Sequence, residues 1–216
     1  MFTHNIKFEN FKNKRKDKKI SILLSKLLKE DNEVLNSLKS NYINSYKKKD
    51  IAKFKKFSNF LLIGMGGSIL GARAIYSFLK KKIKKNFFFK DNFNFEKKYK
   101  KKLNLVISKS GNTLETIVNA NILIGKNEKN IFITENKKSF LFNLAKKLKA
   151  EIIHHNNFIG GRYSVLSEVG MVPAQLMGLK SENFKQFNYL IKNKNFLNSL
   201  VSNVASTLYF IKKKKF

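Results

Sequence analysis

Four hydroxyl side chains, Ser108, Ser110, Thr113 and Thr116, crowd with Gly111 into the nine residues SKSGNTLET, 108–116. Short hydroxyls around a glycine, just ahead of a helical pattern, put O–H and backbone N–H donors side by side. That is the chemistry that holds the oxygens of a phosphate. Asn112 and Glu115 stand three apart at the helix start, and a capping box is the expected job of those two. A second stretch, IGMGGSILGAR at 63–73, runs from apolar residues through glycines into a helical pattern. Its amides would point at whatever sits on the helix N-terminus, and Ser68 adds a hydroxyl. The glycines at 64, 66, 67 and 71 do not make a dinucleotide fingerprint, because Ile69 occupies the third glycine position. Asp91 falls near where a ribose-binding acid would stand, which keeps a nucleotide open as a subordinate alternative. Close strand–helix packing is the purely structural alternative for the glycines.

A third stretch, FIGGRYSVLSEVGMVPAQLMG at 158–178, holds two adjacent glycines that allow a sharp turn before Arg162. Of the 45 basic residues only Arg15, Arg73 and Arg162 are arginine. A planar, fixed cation kept in a lysine-rich chain suits the stabilisation of negative charge on an oxygen. The alternative is a structural ion pair, with Glu168 the nearest partner in sequence. His154 and His155 end a strand pattern with no carboxylate or cysteine pattern around them, and they read as structural.

Composition explains the rest of the charge. The formal net charge is +31, which on its own points to nucleic acid or an anionic surface. Lys, Asn, Ile and Phe, however, can all be encoded by A and T alone, and Trp and Cys are absent while Pro occurs once. A drift of that kind gives solvated lysines without a polyanionic partner. It also makes the exceptions informative, since nine of the ten glycines and Pro173 fall in the three stretches above. Without cysteine there is no disulfide framework or thiolate metal site. The N-terminus has no apolar signal region, and no apolar run approaches the length of a membrane helix. A cytoplasmic protein is expected, with no metal or other cofactor and no nucleic-acid or membrane partner.

These residues need elements to position them. Residues 18–49 show helical spacing and are read as two covering helices with Ile22, Leu23, Leu27, Leu28, Leu35 and Leu38 on the inner faces. From residue 60 short apolar runs alternate with helical periods: strands over 60–63, 87–89, 103–108, 130–134 and 151–155, with helices to about 80, over 113–124 and over 138–149. Continuous apolar strands alternating with helices predict an α/β fold, a doubly wound five-stranded parallel sheet with flanking N- and C-terminal helices. In that fold the first two stretches follow strands and open helices, so both face the carboxyl edge where ligands of such sheets bind. The expected organisation is a helical segment over 1–55, a binding domain over 56–178 and a further helical segment over 179–216.

Taken together, IGMGGSILG, SKSGNTLET and GGRYSVLSEVGMVPA resemble the glucose-6-phosphate isomerase (phosphoglucose isomerase) family, over roughly 60–178. The first two alone would resemble only the wider sugar isomerase (SIS) domain; the arginine stretch is the specific one. Residue by residue, the resemblance implies that Ser68, Ser108, Ser110 and Thr113 hold a sugar phosphate, with Gly67 and Lys109 contributing through the backbone. It implies that Arg162 stabilises a cis-enediolate as a proton moves between C2 and C1. Ser110 stands where the family has threonine, and Gly111 and Asn112 replace an aromatic residue and a threonine. The family's glutamate base, its ring-opening histidine and its C-terminal lysine have no counterparts in 1–216. The expectation is an N-terminal portion of such an isomerase, homodimeric at full length and inactive alone. A sugar-phosphate-binding module without catalysis is the rival reading.

Overall fold

The computed structural model describes residues 17–93, 101–125 and 127–214. Five strands are present: β1 (Asn59–Gly64), β2 (Asn86–Lys90), β3 (Lys102–Ile107), β4 (Lys129–Thr134) and β5 (Glu151–His154). They form one sheet in the order β2-β1-β3-β4-β5, and every pairing is parallel. The expected doubly wound α/β sheet is what the chain builds.

The helices are α1 (Lys18–Leu27), α2 (Glu33–Leu38), α3 (Lys48–Ala52), α4 (Gly67–Phe78), α5 (Leu114–Leu123), α6 (Phe140–Lys147), α7 (Glu168–Leu176), α8 (Phe187–Lys192) and α9 (Lys194–Lys214). Short 3₁₀ turns span Lys80–Lys82, Gly161–Leu166 and Ser181–Phe184. The chain divides into two compact units, Tyr42–Phe184 and the pair of segments Met1–Asn41 with Lys185–Phe216.

In the Tyr42–Phe184 unit the strands read as unbroken apolar runs because both faces of the sheet are covered. Alternation along each strand sorts residues to the two sides. Phe60, Leu62, Leu103, Leu105, Ile107, Ile131 and Ile133 face α4 and α7, meeting Ile69, Ala72, Val169 and Met171. Leu61, Ile63, Val106 and Phe132 face α5 and α6, meeting Ala120, Leu141 and Ala145. Asn104, in the middle of β3, is buried and gives its amide N–H groups to Glu128 (2.9 Å) and Asn130 (2.8 Å). Lys102 Nζ reaches Glu128 at 2.7 Å and the Leu123 carbonyl at 3.1 Å. Burial alone would raise the Glu128 carboxyl, but hydrogen bonds from Lys102, the Gly125 amide and Asn104 outweigh it and hold the group below the ordinary carboxylate range. This polar cluster closes the amino edge of the sheet and leaves the carboxyl edge for the glycine and hydroxyl loops.

In the other unit, α1 is capped by Asp17, whose carboxylate accepts from the amides of Lys19 and Ile20. The expected pair of helices over 18–49 is α1 and α2, and a third, α3, starts at Lys48 and falls in the sheet unit. Of the expected inner face around α1, Leu28 is half-covered, but Ile22, Leu23 and Leu27 are 57%, 54% and 41% exposed, and Ile20 and Leu24, not expected there, are half-covered instead. The reason lies in the sequence: apolar residues surround most of this helix, so spacing alone does not select the stripe that packs.

Candidate functional site

The paired ends of β1 and β3 are where the chain order reverses: β1 leads outward to β2, and β3 leads toward β4 and β5. Gly64 and Ile107 are register partners at that point. The crevice beyond such a switch point is the standing ligand site of open α/β sheets.

Beyond Gly64 the chain turns at Gly66, whose φ of 54° and ψ of −124° is a backbone conformation that glycine adopts readily. Helix α4 begins at once, with no side chain capping it. Ser68 in its first turn is half-buried, and its amide is engaged by the Met65 carbonyl at 3.1 Å. Helix α5 likewise lacks a side-chain cap, with Thr113 at its N-cap position. Two helix starts without side-chain caps therefore face the same sheet edge, each offering partial positive charge, although the Ser68, Ile69 and Leu70 amides of α4 already donate to the Met65 and Gly66 carbonyls.

The expected capping box of Asn112 and Glu115 is not formed. Asn112 Oδ1 instead accepts from the Phe140 amide at 2.9 Å, closing the first turn of α6. Helix α5 therefore starts one residue later than the sequence pattern suggests. Gly111, at φ 67°, brings this loop against α6: a Cβ there would lie 2.1 Å from Ser139 Oγ. The loop is thus fastened from outside. Inside it, Ser108 is nearly inaccessible and its Oγ lies 2.9 Å from Thr113 Oγ1. Ser110 Oγ accepts from the Asn112 amide at 3.2 Å, and its side chain is exposed.

Lys109 does more than the backbone role expected of it. Its carbonyl accepts from the Glu135 amide at 3.1 Å, which ties the loop to the end of β4. Its ammonium donates to the Asn157 carbonyl at 2.6 Å and lies 3.7 Å from Glu135. Glu135 also pairs with Lys137. Burial would raise the Glu135 carboxyl, and the two ammoniums outweigh it and keep the group below its ordinary range. The acid at this edge is therefore neutralised by its own lysines.

The turn carrying Arg162 is clamped between α4 and α7 by glycines. A Cβ on Gly67 would stand 2.2 Å from the Gly161 carbonyl oxygen, one on Gly71 2.7 Å from Val165, and one on Gly170 2.1 Å from the Val165 carbonyl. Gly67 and Gly71 thus serve close packing, though against the arginine turn rather than between strand and helix as the structural alternative had it, and this packing serves the site by seating that turn beside the start of α4. Ser164 Oγ donates to the Gly161 carbonyl at 2.8 Å and Ser167 Oγ to the Ser164 carbonyl at 2.8 Å, stiffening the turn internally. Arg162 is exposed and makes no ion pair among the described residues. Its suggested partner Glu168 is wholly buried, accepting from the Asn156 amide at 2.7 Å.

Other candidates resolve simply. Asp91 is paired with Arg73 at 2.8 Å, so the acid proposed for a ribose has a partner. His154 Nδ1 accepts from the Asn136 amide at 3.1 Å. His155 is buried with Nδ1 3.0 Å from the Asn156 carbonyl oxygen, and burial lowers its imidazole below the ordinary range. No group of three or more His, Cys, Asp or Glu among the described residues is placed to hold a metal ion. No helix among them is long and apolar enough to cross a membrane. The sequence reading missed Asn112, Ser139 and Glu168 as fasteners of the two loops. Only Glu168 carried a signal, as an acid at the head of an apolar helix in a chain with 14 acids against 45 bases.

The phosphoglucose isomerase family model matches residues 11–205. The chain is 35% identical over 173 residues to a glucose-6-phosphate isomerase of Methanocaldococcus jannaschii, covering 71% of this chain and 43% of that protein. It is 36% identical over 190 residues to a probable glucose-6-phosphate isomerase of Methanococcus maripaludis, covering 78% and 42% respectively. The chain therefore spans less than half the length of these curated relatives. Among solved structures, a hypothetical protein from Thermus thermophilus superposes with a TM-score of 0.66 at 20% identity, over 89% of this chain and 52% of that one. With a family match across most of its length and the three loops gathered at one sheet edge, the chain belongs to the phosphoglucose isomerase family.

Proposed function

We propose that the Tyr42–Phe184 unit binds a hexose 6-phosphate, and that the chain contributes this half of the machinery for interconverting glucose 6-phosphate and fructose 6-phosphate. The observation that carries the reading is the convergence of two uncapped helix starts, with Ser68, Ser108, Ser110 and Thr113, at the β1/β3 switch point beside the clamped Arg162 turn. The phosphate would take the amides of Gly67 and Lys109 and the four hydroxyls. The Ser108–Thr113 contact holds two of those hydroxyls in place before any ligand arrives.

In the isomerisation a base removes the C2 proton of the open-chain aldose, and the C–H pair forms the C1–C2 double bond of an enediolate as the C1 carbonyl π pair moves onto O1. The proton then returns at C1 while the O2 proton passes to O1, leaving the C2 carbonyl of the ketose. Arg162, exposed and without an ion pair among the described residues, can spend its charge on the enediolate oxygen. No residue of the 216 is assigned as that base, since the family's glutamate motif has no counterpart in the sequence. Catalysis accordingly needs a group that this chain does not supply.

Calorimetric titration of the purified chain tests the reading. Glucose 6-phosphate and fructose 6-phosphate should bind, glucose should not, and a coupled assay should detect no turnover by the chain alone. Equal affinity for glucose and its phosphate, or isomerisation by the chain itself, would overturn it.

A further inference from the structure

We infer that Glu168 is a positioning residue for Arg162, holding the start of the segment that carries the guanidinium; the inference rests on the sugar-phosphate reading of the site. Sequence spacing suggests an ion pair between the two, and the structure separates them, with Glu168 wholly buried and Arg162 exposed. A buried carboxylate is costly wherever it is not compensated, and the run that follows it, Val169 to Leu176, is apolar apart from Gln175 and buried throughout. An apolar residue at the head of α7 would suit that packing. What the carboxylate supplies instead is an acceptor: Oε1 takes the Asn156 amide at 2.7 Å.

The same oxygen lies 3.9 Å from His155 Nδ1, while Glu168 Oε2 and His155 Nε2 have no partner among the described residues. From Asn156 the restraint passes along the segment. Asn156 Oδ1 accepts from the Phe158 amide at 2.9 Å and its carbonyl from the Ile159 amide at 3.3 Å. Ile159 is fully buried, and Gly161 then seats on Gly67. Glu168 fixes one end of this run, and the guanidinium begins at the other.

The test uses the purified 216-residue chain with E168A, E168Q, R162A and the double variant E168A/R162A. E168Q keeps the shape and an acceptor oxygen; E168A removes both. Without ligand, E168A should raise amide exchange at Asn156, Phe158, Ile159 and Gly161 by about tenfold or more, with Leu61 and Leu105 in the sheet changing less than about twofold. E168Q should stay within about threefold at all of these. With glucose 6-phosphate, E168A should weaken binding by about tenfold, but cause no further loss once Arg162 is gone. That non-additivity separates positioning of Arg162 from general destabilisation.

Unchanged exchange in E168A, or an equal loss with and without Arg162, overturns the inference. If the unsubstituted chain does not bind glucose 6-phosphate, the functional reading fails and the exchange pattern alone decides whether Glu168 holds the segment. Should E168A not fold, E168D, which keeps the charge and withdraws the acceptor by one methylene, replaces it in both measurements with the same expected directions.

Discussion

Gly67 offers the sharpest perturbation. A methyl group there would stand 2.2 Å from the Gly161 carbonyl oxygen, 2.3 Å from its carbon and 2.9 Å from its Cα, where ordinary contact begins at 3.4 Å. All three atoms are backbone, so no side chain can rotate away, and α4 must part from the arginine turn by about 1 Å. Overpacking of this kind costs about 1–3 kcal/mol of stability. A displacement of about 1 Å in a group that must meet a ligand can cost up to about 100-fold in function. Gly66 supplies the control: its φ of 54° makes Gly66→Ala strained, but nothing lies within 4 Å of the new methyl. That strain costs about 1–3 kcal/mol with no displacement of the turn. In urea denaturation both variants should therefore be destabilised, while only Gly67→Ala should shift the Gly161 and Arg162 amide resonances and lose most of its affinity for glucose 6-phosphate. If Gly67→Ala unfolds within about 0.5 kcal/mol of the unsubstituted chain, with those resonances unmoved, the clamp described here is not what seats Arg162.

Further outcomes follow from the same geometry. Arg162→Ala removes an exposed side chain with no ion pair among the described residues, so stability should change by less than about 0.5 kcal/mol while sugar-phosphate affinity falls; a melting midpoint lowered by many degrees would assign it a structural role. Ser108→Ala breaks a buried 2.9 Å contact with Thr113, and titration should show about a tenfold weaker site, consistent with about 1–1.5 kcal/mol for such a bond. Glu128→Ala leaves the buried Lys102 ammonium without its carboxylate, which should cost about 2–4 kcal/mol in denaturant titration with ligand affinity unchanged.

The pH dependence has a definite sign. The carboxyls of Glu128, Glu135 and Glu182, the last held down by its hydrogen bond from Lys48, sit below their ordinary range when folded, so their contribution is complete above the unfolded carboxylate range and is lost as pH falls through the folded values. His155, lowered by burial, adds a loss that begins as pH drops below its ordinary range near 6.5. His155→Gln should flatten the stability profile in that upper window and leave the acid limb intact.

How much of this could be read beforehand differs between fold and site. The strands were legible because burial on both faces leaves a continuous apolar signature, and runs such as FLLI and NIFIT have no other good use. The three loops were legible because nine of the ten glycines fall in them and four hydroxyl residues crowd into 108–116. The buried stripe of α1 was not, since Ile22 and Leu23 are as apolar as Leu24 and Leu28 and only tertiary packing separates them. Asn112 misled for a related reason. Its local spacing fits a cap on α5, and the amide it serves belongs to Phe140, which no local pattern can indicate. Likewise Gly67 and Gly161 are each conspicuous, but that one exists to admit the other is a fact of how α4 meets the turn.

The most direct test of the central claim is a residue-resolved titration of the isotopically labelled chain with glucose 6-phosphate. Shifts should concentrate on the amides of Gly66 to Ser68, Ser108 to Thr113 and Gly161 to Tyr163, and glucose at the same concentration should leave them in place. Shifts spread over the surface lysines, reproduced by inorganic phosphate and absent from these three loops, would contradict the site.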